Sequence, residues 1–570
     1  MLEVQDETIP VEPWRLGFYV HLTTDLYHAV DWQIENTENG LSATTTTFRC
    51  GSGTVRQRGK LSVRVWRRES GLSWQAQVTF ANAADRIKGV KAVLSPVPAQ
   101  RVIDASGHSE EIQPFRVLRY VYPSVASAEP GPKVVPRAGN IPMQLITLAG
   151  KTDSPIACLR ATEFPPRMKW FGVTAGTDGA IIDLFTEELA IRWRNEYESP
   201  ICTFESETTW DAVLEAEART LEERTGLVPF EMRTDVPEWA RRIALVVNFE
   251  CIGYFGEVNQ TFEQMRDRLS ALARRFPPEH CLVTLWGWGG RFDLDLPYQA
   301  PAAALGGPEG FARLLTDGHA QGYRFMPVGN IQGIGAARLR ELGPGLASDR
   351  ITDRDGRPLA FYVDWDRDGV AEASVHYFSP DGQGWRDLLL AGIDDLVRTF
   401  AIDGYFLDQT NSFFNDPAHD HYRGVSRVID AIRHRHPDLL LAGEGLNDYL
   451  TALTPFGTVS RKNKAEGAPE TRLADRLYQR YVRRFGQLLF SAEGRWGVFP
   501  RWLSPAPVDA ENPKQVESDA ATTAARQYQS SWLDAGILPT LALVNHTVDL
   551  DHPGVAEVLA CAERYRATCL

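Results

Sequence analysis

The chain has 570 residues, 43% of them hydrophobic and 24% charged, an ordinary composition for a globular protein of roughly two to four domains. Its formal net charge of -14 disfavours a nucleic-acid-binding surface, because phosphate groups are bound by basic patches. Seven cysteines without a C-x-x-C pair indicate reduced thiols rather than a disulfide framework or a zinc site. The first ten residues contain three acids and no apolar run, so we expect no secretory signal, no membrane association and a cytoplasmic protein.

The first 206 residues consist of short segments in which polar and apolar side chains alternate, separated by turn residues. Residues 61–66 and 72–78 are examples with an apolar side chain at every second position. This period predicts strands that are buried on one face. Turns after every eight to twelve residues or so are typical of an all-β sandwich. We therefore predict an antiparallel β-sandwich domain over residues 1–206.

From residue 207 the pattern changes to helical spacing, and then to strands that alternate with helices. A linking helix is predicted within 207–236, where Gly226 would end it. Next, apolar strands without alternation are separated by amphipathic helices, which is typical of a parallel sheet covered by helices. The predicted strands are 244–250, 282–286, 323–328, 402–408, 439–444, 487–491, 497–499 and 537–544, and the predicted helices are 260–275, 308–320, 385–400, 420–435 and 554–566. This α/β pattern predicts a (β/α)8 TIM-like barrel over residues 237–570.

Residues 352–380 interrupt this repeat between the third strand and the helix before the fourth. Two Asp-Gly dipeptides separate apolar segments there and mark hairpin turns. We therefore predict a β-hairpin insertion over the active face of the barrel. The acidic segment 364–369 is similar to the start of a calcium loop, but Val375 stands where such a loop needs its bidentate glutamate. An acidic turn is therefore favoured over a metal site.

Asp408 and Glu444 each end a predicted strand, with a single helix between the two strands. The carboxyl ends of the strands form the active face of a (β/α)8 barrel, so the two acids are predicted to lie at one mouth. A pair of carboxylic acids placed in this way is typical of glycoside hydrolysis. The alternative is that each acid caps the helix that follows it.

The sequence around these acids resembles a known superfamily. The segment D-G-Y-F-L-D-Q at 403–409 resembles the motif on the fourth strand of retaining α-glycosidase barrels, and A-G-E at 442–444 is similar to the acid-ended fifth strand of the α-amylase clan. An aromatic-Pro stretch at 378–380 followed by Trp385 is similar to a poorly characterised group of bacterial glycosidase-like barrels with an N-terminal β-sandwich. The resemblance covers about 240–460 and indicates a superfamily rather than a substrate.

The resemblance implies Asp408 as nucleophile and Glu444 as general acid and base of an exo-acting, retaining glycosidase that acts on small oligosaccharides or glycosides. A separation well beyond roughly 5 Å between the carboxylates would indicate an inverting enzyme instead. A transglycosidase and a carbohydrate-binding protein without turnover are further alternatives. Glu493 is a competing acid, because its sequence context is similar to that of Glu444. No nucleotide- or metal-binding motif is present, so no cofactor is expected, and self-association is left open.

Further candidate substrate-binding residues occupy the last inward positions of the strands and the loops after them. They are Asn248, Glu250, Trp286, Trp288, Asn330, Gln332, His376, Gln409, Asn411 and His546. The polar side chains would bind sugar hydroxyls, and the two indoles would stack on a sugar ring, with core packing an equal alternative for the indoles. A surface strand is the alternative for His376, and His546 has no firm strand assignment.

Overall fold

The computed structural model describes residues 7–51, 55–56, 58–104, 109–123, 139–152, 155–253, 256–291, 294–353, 356–363, 370–371, 373–444, 447–459, 484–485, 487–490, 538–543 and 550–570. Statements about the fold concern these residues. Among them, no helix is both long enough and apolar enough to cross a membrane.

Strands β1–β20 form two mainly antiparallel sheets, called here the N-terminal sheets. They are β1 Ile9–Val11, β2 Trp14–Leu22, β3 Leu26–Val30, β4 Gln33–Thr37, β5 Gly40–Thr45, β6 Thr47–Cys50, β7 Val55–Arg56, β8 Gly59–Arg68, β9 Gly71–Phe80, β10 Ile87–Val97, β11 Arg101–Asp104, β12 Ser109–Glu111, β13 Leu118–Tyr122, β14 Gly139–Asn140, β15 Leu145–Ala149, β16 Pro155–Arg160, β17 Met168–Ala175, β18 Ala180–Glu187, β19 Glu196–Glu198 and β20 Cys202–Ser206. One sheet has the order β14-β13-β17-β18-β10-β2-β3-β6-β7, with β1 on β2, and the other β12-β11-β15-β16-β20-β9-β8-β5-β4, with β19 on β9.

Strands β5, β8 and β18 are examples from the N-terminal sheets that are buried on one face, as the alternating sequence predicts, whereas β15 is buried throughout. In β18, Ala180, Ile182 and Leu184 are buried and the residues between them are partly exposed. The buried faces of both sheets contribute to a single hydrophobic cluster, with Phe18 from one sheet and Trp74 from the other. The two sheets therefore share one core.

The rest of the chain contains further strands and nine described helices. The strands are β21 Leu245–Glu250, β22 Cys281–Trp286, β23 Arg324–Asn330, β24 Gly333–Gly335, β25 Ala360–Val363, β26 Ala373–Tyr377, β27 Gly404–Asp408, β28 Leu440–Gly443, β29 Phe456–Val459, β30 Gln487–Phe490 and β31 Thr540–Leu543. The helices are α1 Trp210–Thr225, α2 Glu238–Arg241, α3 Phe262–Leu272, α4 Gly307–Gln321, α5 Ala336–Leu342, α6 Gln383–Phe400, α7 His421–Arg435, α8 Asp448–Leu453 and α9 Pro553–Cys569. Short 3-10 helices span Ala190–Arg192, Phe230–Met232, Pro278–His280, Ala303–Leu305 and Gly343–Asp349.

Eight of these strands form a parallel sheet, called here the parallel sheet, in the order β30-β29-β28-β27-β23-β22-β21-β31. Neighbours in the sheet are neighbours in the strand sequence, and the last strand lies beside the first, which is the order of a (β/α)8 barrel. Within the described residues no pairing joins β30 to β31, so closure of the barrel stays a prediction. The predicted strand at 497–499 lies outside the described residues.

The predicted helices match the structure because their ends carry recognisable signals. Thr209 caps α1, accepting a hydrogen bond from the N–H of Ala212 at 3.3 Å, and Gly226 ends the helix with φ of 68°. Asp420 caps α7 through the N–H of Arg423, at 3.2 Å. These short-range contacts explain why local sequence predicts the helix boundaries to within a few residues.

The insertion between β23 and α6 contains the predicted antiparallel hairpin. Strands β25 and β26 pair with each other, and β26 also pairs with β24. Because β24 begins three residues after Asn330, the last residue of β23, the three-stranded sheet lies beside the carboxyl end of the parallel sheet.

The parallel sheet and its helices are in contact with the N-terminal sheets. One hydrophobic cluster combines side chains from both parts, which are Val121, Met168, Leu189, Phe413, Tyr422 and Tyr449. An ion pair between Arg192 and Asp420, at 2.9 Å, joins them as well. Phe413 in the loop after β27, Tyr422 of α7 and Tyr449 of α8 are thus packed on the N-terminal sheets.

Candidate active site

Asp408 and Glu444 lie at the ends of two neighbouring strands. Asp408 is the last residue of β27, and Glu444 follows β28, which pairs with β27 in parallel. The N–H of Glu444 donates to the carbonyl of Leu407 at 3.1 Å, which fixes its backbone beside that of Asp408. Neither acid is the cap of the following helix, because α7 is capped by Asp420 and α8 by Asn447. Their proposed chemical roles are taken up below.

Asn330 holds the side chain of Asp408. The two residues are opposite each other in the register of β23 and β27, and Nδ2 of Asn330 donates to Oδ2 of Asp408 at 3.3 Å. The other amide atom, Oδ1, accepts the N–H groups of Gln332 and Gly333 at 3.0 and 2.6 Å. Since two backbone donors occupy the amide oxygen, the nitrogen has to face Asp408. A donor in that place stabilises negative charge on a carboxylate that is only 9% exposed.

The residue after Asp408 connects the two acids. Gln409 has φ of 62°, in the left-handed region that few non-glycine residues adopt. Its N–H donates to Oε2 of Glu444 at 2.9 Å. The hydroxyl of Thr410 donates to the backbone oxygen of Glu444 at 3.0 Å. The turn after β27 therefore holds both the carboxylate and the backbone of Glu444.

Gly443 permits this close packing of β28 on the turn. A Cβ atom at that position would lie 2.7 Å from Oγ1 of Thr410, closer than such contacts allow. The glycine before Glu444 is therefore needed for the approach of Thr410.

Gln332 supports the same turn from the other side. Its Nε2 donates to the carbonyls of Gln409 and Ser412 at 3.0 and 2.9 Å, so the buried amide fixes the segment in which Asn411 lies half-buried. Within the described residues, Oε1 of Gln332 and Oε1 of Gln409 are buried and have no hydrogen-bond partner. Buried amide oxygens of this kind are acceptors that a bound hydroxyl would satisfy.

Asn248 and Trp286 occupy the interior of the parallel sheet. Oδ1 of Asn248 accepts the hydroxyl of Thr284 from the neighbouring strand at 2.6 Å. Trp286 is nearly buried, and its ring lies 5.2 Å from that of Phe406, two positions before Asp408. Glu250 is half-buried and stands opposite Trp286 in the register of β21 and β22. Trp286 therefore contacts the strand that carries Asp408.

The other candidate tryptophan, Trp288, lies in the core. It is 0% exposed, its Nε1 donates to the carbonyl of Val328 at 2.9 Å, and its ring stacks on Phe311. Trp288 is therefore a core residue in this structure, as the alternative to sugar stacking predicts.

Trp385 of the aromatic-Pro motif is also fully buried. Its Nε1 donates to the carbonyl of Ile331 at 2.8 Å, and Phe378 stacks on it at 5.3 Å. The N–H of Ile331 in turn donates to the carbonyl of Asp408 at 3.1 Å. The motif therefore fixes the end of β23 against the catalytic candidate.

His376 lies on β26, half-buried, with Nδ1 at 3.1 Å from Nη2 of Arg350. Burial and then the Arg350 cation lower the pKa of His376 below its ordinary value. His546, Glu493 and the acidic segment 364–369 lie outside the described residues. Among the residues that are described, no group of three His, Cys, Asp or Glu side chains is placed to hold a metal ion.

The whole chain is similar in structure to solved glycoside hydrolases. It matches alpha-N-acetylgalactosaminidase NagBb from Bifidobacterium bifidum, solved with GalNAc, with a TM-score of 0.68 and 13% identity, over 99% of this chain and 90% of that chain. It also matches a GH31 family sulfoquinovosidase from E. rectale, solved with an aza-sugar inhibitor, with a TM-score of 0.54 and 11% identity, over 99% and 83% of the two chains. The GH36 alpha-galactosidase AgaA from Geobacillus stearothermophilus gives a TM-score of 0.54 and 11% identity, over 97% and 75%. No protein-family model and no curated protein sequence matches the chain.

These similarities confirm the glycoside hydrolase-like fold that the segments 403–409 and 442–444 predict. Because the matches extend over nearly the entire chain, they include the N-terminal sheets as well as the parallel sheet. At this level of identity the similarity concerns the fold, and the reaction has to be argued from the site itself.

Proposed function

We propose that the protein is a glycosidase that removes terminal sugars from small oligosaccharides or glycosides, with retention of configuration. The observation that carries this proposal is the placement of Asp408 and Glu444 at the ends of adjacent parallel strands, joined through the N–H of Gln409 to Oε2 of Glu444. Retaining glycosidases need two carboxylic acids on opposite sides of one scissile bond. Adjacent strand ends provide such a pair.

In this proposal Asp408 is the nucleophile and Glu444 is the general acid and base. Glu444 donates a proton to the glycosidic oxygen while a carboxylate oxygen of Asp408 bonds to the anomeric carbon and the alcohol leaves. Glu444, now ionised, then takes a proton from water as the water oxygen attacks the same carbon and the bond to Asp408 breaks. Asn330 supports the nucleophilic role, because its N–H donor stabilises the carboxylate of Asp408.

The hairpin insertion supports action at the end of a sugar chain. The N–H of Phe378 donates to the carbonyl of Gln332 at 2.8 Å, so the three-stranded sheet is attached next to the strand end of Asp408. A wall in this position favours a closed pocket over an open cleft. The unpartnered oxygens of Gln332 and Gln409 would accept hydroxyl groups of the bound sugar.

Alpha-galactosides and alpha-N-acetylgalactosaminides are the first substrates to test, because two of the similar structures bear those names. A panel of α- and β-linked aryl glycosides and disaccharides is incubated with the protein, and the anomer released first is identified by proton NMR. The expected result is one released sugar with the configuration of the substrate. Release of the opposite anomer would establish an inverting enzyme.

Asp408→Asn is measured in parallel, because it removes the nucleophile and keeps the size of the side chain. We expect loss of turnover with retained sugar binding. If the native protein binds sugar but turns over nothing on the whole panel, and Asp408→Asn binds sugar equally well, the carbohydrate-binding alternative is favoured. Conversion of the acceptor sugar into longer oligosaccharides would indicate a transglycosidase.

A further inference from the structure

Asp448 is a buried acid that lies outside the proposed catalytic pair. It is the first residue of α8 and comes four positions after Glu444. Its side chain is 1% exposed, and the sequence gives no signal for it, because acids are common in the first turn of a helix. The mechanism proposed above makes no use of it.

The carboxylate of Asp448 is bound by donors from the N-terminal sheets. The hydroxyl of Tyr122 donates to Oδ1, and Nε2 of Gln144 donates to Oδ2 at 2.9 Å. The N–H of Tyr449 donates to Oδ1 at 2.8 Å, and the N–H of Asp448 itself donates to the carbonyl of Pro142 at 3.0 Å. Both the side chain and the backbone at the start of α8 are therefore fixed to the N-terminal sheets.

The donors themselves are held in place. Gln144 exchanges hydrogen bonds with the backbone of Glu163, donating at 3.1 Å and accepting at 3.2 Å. Lys169, fully buried, pairs with Glu163 at 2.7 Å, and its ammonium lies 6.0 Å from the ring centre of Tyr122. The carboxylate of Asp448 thus meets a rigid, polar part of the N-terminal sheets rather than an adaptable surface.

Glu444 and the start of α8 are separated by very little chain. The backbone of Glu444 is fixed by Leu407 and Thr410, and only two residues lie between Glu444 and Asn447, the cap of α8. The three Cα–Cα steps from Glu444 to Asn447 span at most about 11 Å, so a large displacement of the helix start is transmitted to Glu444.

We propose that Asp448 is a positioning residue for Glu444, through which the N-terminal sheets set the position of the proton donor. The inference rests on the role of Glu444 in the proposed function. It gives the N-terminal sheets a further role, because their residues Tyr122 and Gln144 hold Asp448 and thereby position Glu444 for proton transfer.

Leaving groups distinguish positioning from a loss of structure. A sugar or an alkyl alcohol leaves only with a proton from the general acid, whereas an activated aryl alcohol such as 2,4-dinitrophenol leaves without one. A misplaced Glu444 therefore slows the first kind of substrate and spares the second. Partial unfolding slows both kinds equally, since it lowers the amount of active enzyme.

The test compares Asp448→Ala with the native protein on a disaccharide and on the corresponding 2,4-dinitrophenyl glycoside. We expect kcat/KM on the disaccharide to fall by about tenfold to a hundredfold, with less than about a threefold change on the activated glycoside. Asp448→Asn keeps an acceptor for Tyr122 and should recover part of the loss. Tyr122→Phe, which deletes a single hydroxyl, should change the same ratio in the same direction and serves if Asp448→Ala does not fold.

Tyr449→Phe is the matched control. Its ring lies in the same interface, while its hydroxyl bonds to Ser426 of α7 at 2.8 Å, and loss of that hydroxyl leaves the donors to Asp448 in place. The control should keep the native ratio between the two substrates. Equal losses on both substrates in Asp448→Ala and in Tyr122→Phe would overturn the inference.

Glu444→Gln, measured on the same two substrates, separates failure of the inference from failure of the proposed function. A strong dependence on the leaving group in Glu444→Gln, combined with none in Asp448→Ala and Tyr122→Phe, refutes the positioning role alone. No dependence in Glu444→Gln refutes both, because Glu444 would then not be the acid.

Discussion

The N-terminal sheets and the parallel sheet bury their strands in different ways. In β18 of the N-terminal sheets, buried and partly exposed residues alternate along the strand. In β22, β27 and β28 of the parallel sheet, every residue is buried. Strand β18 has one covered face, and β22, β27 and β28 have two.

This difference changes the meaning of a polar side chain. On a strand with an exposed face, an acid such as Asp183 of β18 is ordinary, and it pairs with Arg119 at 3.1 Å. On a strand buried on both faces, a polar residue lacks solvent, so Asn248, Asn330 and Asp408 need a partner or a ligand. A polar side chain on such a strand therefore indicates a structural partner or a site.

The largest expected difference between the two regions is in activity. Asp408→Asn should lower kcat by about 10³-fold or more, whereas Asp183→Asn should leave it within about twofold. The reason is that only Asp408 stands at a strand end with both faces covered, next to the second acid. Steady-state kinetics on the best substrate of the panel checks this, and losses of similar size in both variants would contradict the comparison.

Substitutions at neighbouring positions should differ in their effect on stability in β18 of the N-terminal sheets, but not in β28 of the parallel sheet. Leu440→Ala and Leu441→Ala in β28 should each lower the free energy of unfolding by about 2–5 kcal/mol, because both side chains are buried. In β18, Ile182→Ala should have an effect of that size, and Ile181→Ala a clearly smaller one, because Ile181 is partly exposed. Urea unfolding measures all four variants. A small effect at Leu440 or Leu441 alone would indicate that β28 has one open face.

The smallest effect concerns pH, at the contact between the two regions. Burial raises the pKa of Asp448 from 3.8 to about 7, against the opposing hydrogen bonds from Tyr122 and Gln144. The unfolded chain releases this proton near pH 4 and the folded protein only near pH 7, so this group lowers stability as pH rises between these values. Asp448→Asn removes the titration, and its free energy of unfolding should gain on that of the native protein by on the order of 1 kcal/mol or more from pH 4 to pH 7.

Glu163 provides the opposite case for the same measurement. Burial would raise its pKa, but Lys169 and Arg167 outweigh burial and lower the pKa to about 2. Its contribution to stability is therefore fully present above about pH 4.5 and is lost as pH falls toward 2. The free energy of unfolding of Glu163→Gln should therefore approach that of the native protein only as pH falls from about 4.5 toward 2. A difference in the free energy of unfolding between Asp448→Asn and the native protein that stays constant from pH 4 to pH 7 would contradict the raised pKa of Asp448.

Local sequence predicts much of this fold, because periodicity and capping act over a few residues. The alternation in β8 and β9, the cap at Thr209 and the acids that end two apolar strands are all visible in single segments. The partners of those acids follow partly from strand register, which explains why Asn330 is among the candidates.

Other features depend on contacts between distant residues, which no local pattern contains. Tyr122 and Asp448 are 326 positions apart, and only packing of the N-terminal sheets on α8 brings them together. Strand alternation places Trp286 and Trp288 on the same face and does not distinguish them. In the tertiary structure Trp286 packs against Phe406, whereas Trp288 donates to the carbonyl of Val328. The roles of both acids remain predictions that the experiments above address.

The hydrophobic cluster shared by the two regions has a practical consequence for engineering. Phe413, Tyr422 and Tyr449 pack against Val121, Met168 and Leu189, so a fragment that begins at residue 207 would present three aromatic rings to water. Such a fragment is expected to aggregate when it is expressed alone. Chimaeras made with related proteins should accordingly exchange the N-terminal sheets and the parallel sheet together.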